Sequence, residues 1–98
     1  MECSIQTDAS GKTVLLSGRV TSRDFDGFKA LLALLDGEGA RGMVLDLSAV
    51  EFMDSTALGM VLLLQDKARS RGANFSLQGV KGQVKRLFEI VKLDNIAR

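Results

Sequence analysis

Met43-Val-Leu-Asp-Leu47 is a short and nearly continuous apolar run. A segment of that kind reads as a central strand buried on both faces, which commits the chain to a sheet with strand neighbours and a helical cover. The flanking patterns supply both. Upstream, Cys3–Thr7 alternates weakly and ends near Asp8, Asp8-Ala-Ser-Gly11 is a turn cluster, and Thr13–Ser17 is a more buried strand stopped by Gly18. The pair reads as an antiparallel hairpin. From Ser22 the period changes: Phe25, Phe28, Leu31, Leu32 and Leu35 recur at three and four residues, the spacing of an amphipathic helix. Thr21-Ser-Arg-Asp24 has the form of a capping box, in which side chains satisfy free N–H groups at a helix start, and Gly37 and Gly39 close the helix.

Downstream, a helix begins near Ser55 and runs to about Arg71, with Gly72 as its stop. Asn74–Leu77 makes another strand. The last helix spans roughly Gly82–Lys92, with Val84, Leu87, Phe88 and Val91 as its buried stripe. This order predicts one α/β domain over residues 1–98, a four- to five-stranded mixed sheet with helices packed largely on one face.

Composition narrows the function. Ninety-eight residues suffice for one core, and no polar or proline-rich tract argues for disorder. The chain has no histidine, which removes the commonest general base and the commonest zinc ligand. With a single cysteine, Cys3, there is no internal disulfide and no metal site is expected. No P-loop and no G-x-S-x-G elbow is present. An enzyme is therefore not expected, nor a cofactor. The longest apolar runs, Ala30–Leu35 and Ala57–Leu64, fall far short of the ~20 residues that span a bilayer. No basic-then-apolar leader opens the chain, and a cytoplasmic address is expected. Residues 1–64 carry nine acids and five bases, and residues 65–98 eight bases and three acids. Net charge is +1, without the basic footprint of a nucleic-acid binder. Lys81, Lys85, Arg86 and Lys92 share the last helix but lack interleaved aromatics for base stacking.

The informative stretch is Asp46-Leu-Ser-Ala-Val-Glu-Phe-Met-Asp-Ser-Thr-Ala-Leu-Gly59. A buried strand ends at Leu47, a short connection follows, and Asp54-Ser55-Thr56 lies where a helix begins. Taken alone, that tripeptide is what any helix N-terminus wants. The helix behind it is less ordinary. Leu58, Val61, Leu62 and Gln65 trace one face, while Ala57, Met60 and Leu64 trace a second, so its first half is apolar nearly all round. Such a helix is buried on two sides or keeps apolar surface for a partner. Gly59 inside its first turns predicts the close approach of another backbone. Hydroxyls beside accessible apolar groups suggest recognition by another protein, with Met60 on the docking surface.

Asp46-Leu-Ser followed by Phe52-Met-Asp-Ser-Thr-Ala-Leu-Gly59 resembles the signature of STAS domains of the bacterial anti-sigma factor antagonist type. The resemblance covers the whole chain, through the early hairpin, the Gly72 turn and Gly82-Gln-Val-Lys-Arg-Leu-Phe-Glu-Ile-Val-Lys-Leu-Asp94. It implies that the serine after the aspartate, here Ser55, is phosphorylated by a partner ATPase of the histidine-kinase-like type, a serine kinase that is itself the anti-sigma factor. A serine phosphatase would reset it. Thr56 is the fallback acceptor. Thr21 stands where many members carry an acid, followed by Ser22 and Arg23, which puts two hydroxyls and a cation near Ser55. Ala57 replaces a glycine common in the family.

The implied role is a partner switch in signal transduction, with Thr21, Ser22, Arg23, Asp54, Ser55, Thr56 and Met60 as the partner-binding residues. Standalone STAS domains also serve as accessory subunits that brace the ATPase of ABC-type lipid transporters. That is the alternative role.

Overall fold

The computed structural model describes residues 1–36 and 41–90. Four strands lie in the sheet order β1-β2-β3-β4: β1 Glu2–Asp8, β2 Gly11–Val20, β3 Gly42–Met53 and β4 Asn74–Gln78. The first pair is the antiparallel hairpin, with Ile5 opposite Val14 and Asp8 opposite Gly11. Asp8 accepts from the Ser10 N–H at 2.8 Å and from its hydroxyl at 2.7 Å, which shapes the turn. Gly11 has φ +137, and a Cβ there would strike the Gly42 carbonyl oxygen, so glycine is required. β2–β3 and β3–β4 are parallel, and parallel neighbours need a crossover. Helix α1, Phe25–Asp36, makes the first and α2, Ser55–Ser70, the second, and α3, Gly82–Ile90, follows β4.

The helices and one face of the sheet enclose a single core. Val14, Leu16 and Val20 of β2, Met43, Leu45, Leu47, Val50 and Met53 of β3, and Leu77 of β4 meet Phe28, Leu31 and Leu35 of α1, the buried side of α2, and Val84 and Phe88 of α3. Each fully buried aliphatic side chain contributes about 1.5–3 kcal/mol relative to exposure. No polar or charged residue is buried among those described. The mixed sheet, its four strands and its one-sided cover agree with the expectation from sequence.

Three readings change. β3 does not stop at Leu47 but continues to Met53, alongside β2 as far as Val20. Register shifts between Leu15 and Ser17 and between Gly18 and Arg19 interrupt the alternation. The spacing Leu47, Val50, Met53 therefore reads as irregular although the backbone is extended. β3 is also covered on one face only, for Val44 and Asp46 on the other face are half-buried. Phe25 leaves the α1 stripe: it opens the helix, 50% exposed, with the Lys29 ammonium 5.5 Å from its ring centre. The expected α1 stops, Gly37 and Gly39, and the expected Val91 and Lys92 of the last helix lie outside the described residues.

Candidate functional site

The carboxyl ends of β2 and β3 meet the start of α2. The Asp54 N–H donates to the Val20 carbonyl at 3.2 Å, which ties the two strand ends together. Asp54 is extended, with φ −93 and ψ 173, and stands as the N-cap of α2. Its Oδ1 accepts from the Ala57 N–H at 2.8 Å, while Oδ2 accepts from the Ser22 N–H at 3.1 Å. One carboxylate thus satisfies a free donor of the helix and holds the β2–α1 connection against it.

That connection also carries hydrogen bonds of its own. Thr21 caps a 3-10 turn over Ser22–Asp24. Its hydroxyl accepts from the Arg23 N–H at 3.3 Å and its N–H donates to Asp24 Oδ2 at 2.8 Å. The capping box expected from sequence is therefore present, and α1 proper begins one step later, at Phe25. Asp24 Oδ1 further accepts from the amino group of Met1 at 3.2 Å.

The structure brings Thr21, Ser22 and Arg23 beside Asp54, Ser55 and Thr56 through the Ser22–Asp54 bond. Ser22, Arg23, Ser55 and Thr56 are exposed, and Thr21 and Asp54 half-buried. Among the described residues, the hydrogen bonds at the start of α2 run through Asp54, and none runs through the hydroxyl of Ser55 or Thr56. Ser55 is the first helical residue, where the partial positive charge of the helix N-terminus favours an added anion. The site offers an accessible hydroxyl in a position that tolerates negative charge. Among the described residues no cluster of acids or cysteine could hold a metal.

Met60 does not belong to this surface. It is 6% exposed and sits in the core with Ala57, Val61 and Leu64. The two apolar stripes of α2 are two halves of one buried face, wide because the helix meets the sheet on one flank and α1 and α3 on the others. Leu63, 52% exposed, is the large apolar residue that α2 leaves open. Gly59 is not a close-approach glycine either, for nothing lies within 4 Å of where its Cβ would be.

Asp46 is a hydrogen-bonding residue within β3, at the point where β4 ends. It accepts from the Ser48 N–H at 2.9 Å and hydroxyl at 2.7 Å, and from Gln78 Nε2 at 3.0 Å. These bonds, the Ser48 hydroxyl foremost, hold its carboxyl below the usual range. Gln83 was not legible as part of the site. Its side chain reaches back to the backbone of Met53, and a contact across thirty residues leaves no local pattern.

The family model described as Mlab, STAS domain matches residues 3–98. A STAS-domain containing protein of Pseudomonas aeruginosa (strain UCBPP-PA14) is 36% identical over 56 residues, 57% of this chain and 55% of that protein. The chain spans about half the length of the curated relative it matches. Among solved structures, RsbS of Moorella thermoacetica, in a serine-to-glutamate variant, superposes with TM-score 0.84 at 21% identity, covering 100% of this chain and 86% of that one. The anti-sigma factor antagonist SpoIIAA of Bacillus does so in its unphosphorylated form with TM-score 0.79 at 12% identity, over 99% and 87% of the two chains. Its phosphorylated form gives TM-score 0.79 at 13% identity, over 99% and 91%. At these identities the likeness is one of fold. The match over residues 3–98 and the shared architecture place this chain in the STAS-domain family.

Proposed function

We propose that this chain, one domain over residues 1–98, is a phosphorylation-controlled protein-binding switch of the anti-sigma factor antagonist kind, and not an enzyme. In its unphosphorylated form it binds a histidine-kinase-like ATPase that is both serine kinase and anti-sigma factor, and so releases that partner's target. Phosphorylation of Ser55 ends the binding, and a serine phosphatase restores it. Thr56 is the second acceptor in rank. The observation that supports this most is the division of labour at the start of α2: Asp54 makes the structural bonds, and the Ser55 hydroxyl stands exposed. A serine needed only as a cap would carry the bond itself.

The chain has no histidine to activate Ser55, so the partner supplies ATP, magnesium and the base, and this chain the positioned hydroxyl. Docking extends over Thr21, Ser22 and Arg23, which Asp54 holds beside Ser55. Phosphate adds a charge of about −1.5 to −2. Within the chain, the helix N-terminus accommodates it with a gain of about 0.3–1 kcal/mol. Across an interface it meets Asp54, Glu51 and desolvated partner surface, at a cost of several kcal/mol, about a hundredfold or more in affinity. The second effect is larger, so partner binding changes while the fold persists.

A pull-down from the native host's lysate with wild type, Ser55→Ala and Ser55→Asp tests this. Wild type and Ser55→Ala are expected to retain an ATPase of the serine-kinase type, and Ser55→Asp to lose it. The alternative role, an accessory subunit that braces the ATPase of an ABC-type lipid transporter, sets the opposing outcome. An ABC-type ATPase held equally by all three would make the chain a structural subunit.

A further inference from the structure

We propose that Gln83 is the positioning residue of the Ser55 turn, linking α3 to the phosphoacceptor through the backbone of Met53. The inference deepens the phosphoswitch reading and rests on it for its functional consequence. β4 pairs with β3 only from Gly42 to Asp46. Among the described residues, no strand lies beside the outer edge of β3 from Leu47 onward, although it leads into the acceptor segment. At Met53 a side chain takes the place of the missing strand. Gln83 Oε1 accepts from the Met53 N–H at 2.9 Å and Nε2 donates to the Met53 carbonyl at 2.9 Å, the two bonds a neighbouring strand would have made.

The clamp acts next to the junction that sets the site. Met53 is fully buried by its side chain, so its residue is fixed from both the core and the edge. Asp54 follows, bound to Val20, Ser22 and Ala57. Ser55 is therefore held from the β2 end by Val20, from the α1 side by Ser22, and from the α3 side by Gln83. Gln83 itself is anchored, because it lies in the first turn of α3 beside Val84, whose side chain is in the core. Without the clamp, the Met53 amide and carbonyl turn to water, and the peptide that carries Asp54 gains freedom. The consequence falls on bonds that Gln83 never touches.

Amide hydrogen exchange by NMR on the intact chain, wild type against Gln83→Ala, reads that consequence directly. Gln83→Glu is a second variant of nearly the same shape, in which an oxygen replaces the donor facing the Met53 carbonyl. Both are expected to speed exchange at Ser22 and Ala57, Gln83→Glu about tenfold through the loss of one net hydrogen bond and Gln83→Ala at least that much through the loss of two, while Leu45 follows global stability alone. Faster exchange at Met53 with Ser22 and Ala57 unchanged would make the clamp a local bridge and overturn the proposal. In parallel, both variants are incubated with host lysate and ATP, with Ser55 phosphate followed by mass spectrometry and Ser55→Ala as control. An initial rate about tenfold below wild type is expected; an unchanged rate despite faster exchange also overturns it. If wild type itself takes no phosphate at Ser55, the phosphoswitch reading fails, and the exchange at Ser22 and Ala57 alone decides the role of Gln83.

Discussion

At Asp54-Ser55-Thr56 three adjacent side chains are all capable of capping a helix, yet the work is unequally shared. Asp54 spends both oxygens on structure, one on α2 and one on the turn that opens α1. Asp54→Ala is therefore expected to cost about 1–2 kcal/mol in urea unfolding, the upper range for a lost cap because a tertiary tie goes with it. Ser55→Ala is expected to change stability by less than ~0.5 kcal/mol, as for an exposed residue without such a bond. A Ser55→Ala loss equal to that of Asp54→Ala would return Ser55 to an ordinary structural role. The sequence made the tripeptide conspicuous but did not say which member caps, because Asp, Ser and Thr share the same preference for that position. The bond from Asp54 to Ser22 depends on two strands ending together, which no local pattern encodes. The capping box at Thr21 and Asp24 was legible because both of its partners lie within one turn.

Elements show the same division between local and tertiary causes. The helical periods of α1, α2 and α3, and the strand cores of β2 and β3, were readable from spacing. The second half of β3 was not, since its bulged register against β2 breaks the alternation on which strand reading depends. Of the two alternatives that spacing leaves open for α2, burial on two sides is the one found, and the choice is not local: periodicity reveals a wide apolar face without revealing that sheet, α1 and α3 together cover it. The assignment of Met60 to the docking surface fails on this point. Met60→Asp is expected to destabilise by more than ~3 kcal/mol, by burying a charge without a partner. Leu63→Ser, on the open side of the same helix, is expected to stay within about ±0.5 kcal/mol. Paired thermal melts of the two variants check both, and comparable losses would contradict the placement of α2.

For the whole molecule, one apolar core carries the stability and surface carboxylates tune it. Asp36, at the end of α1, meets Lys67 Nζ of α2 and the guanidinium of Arg71, the C-cap of that helix, each at 2.7 Å. These contacts, Lys67 foremost, hold its carboxyl below the usual range. A carboxyl with a lowered folded-state pKa adds stability above its unfolded value, about 3.9, and loses it as pH falls through the folded value. Asp36→Asn is thus expected to be less stable than wild type at neutral pH, with the gap closing in acid and shrinking with salt, because the pair is exposed. Urea midpoints along a pH series check the sign, and a gap that widens in acid would contradict it. At this scale the fold was legible from the order of elements, whereas the site's geometry came from the meeting of β2, β3 and α3 at one end of the sheet. Ser55, as the proposed phosphoacceptor whose charge governs partner choice, is the central residue. The most direct test is to isolate the chain from its native host, map its phosphate by mass spectrometry, and compare the proteins retained by the phosphorylated and free forms. Phosphate at Ser55, with the ATPase held only by the free form, is the predicted result. A chain without phosphate at Ser55, or two forms that hold the same ATPase equally, would contradict it.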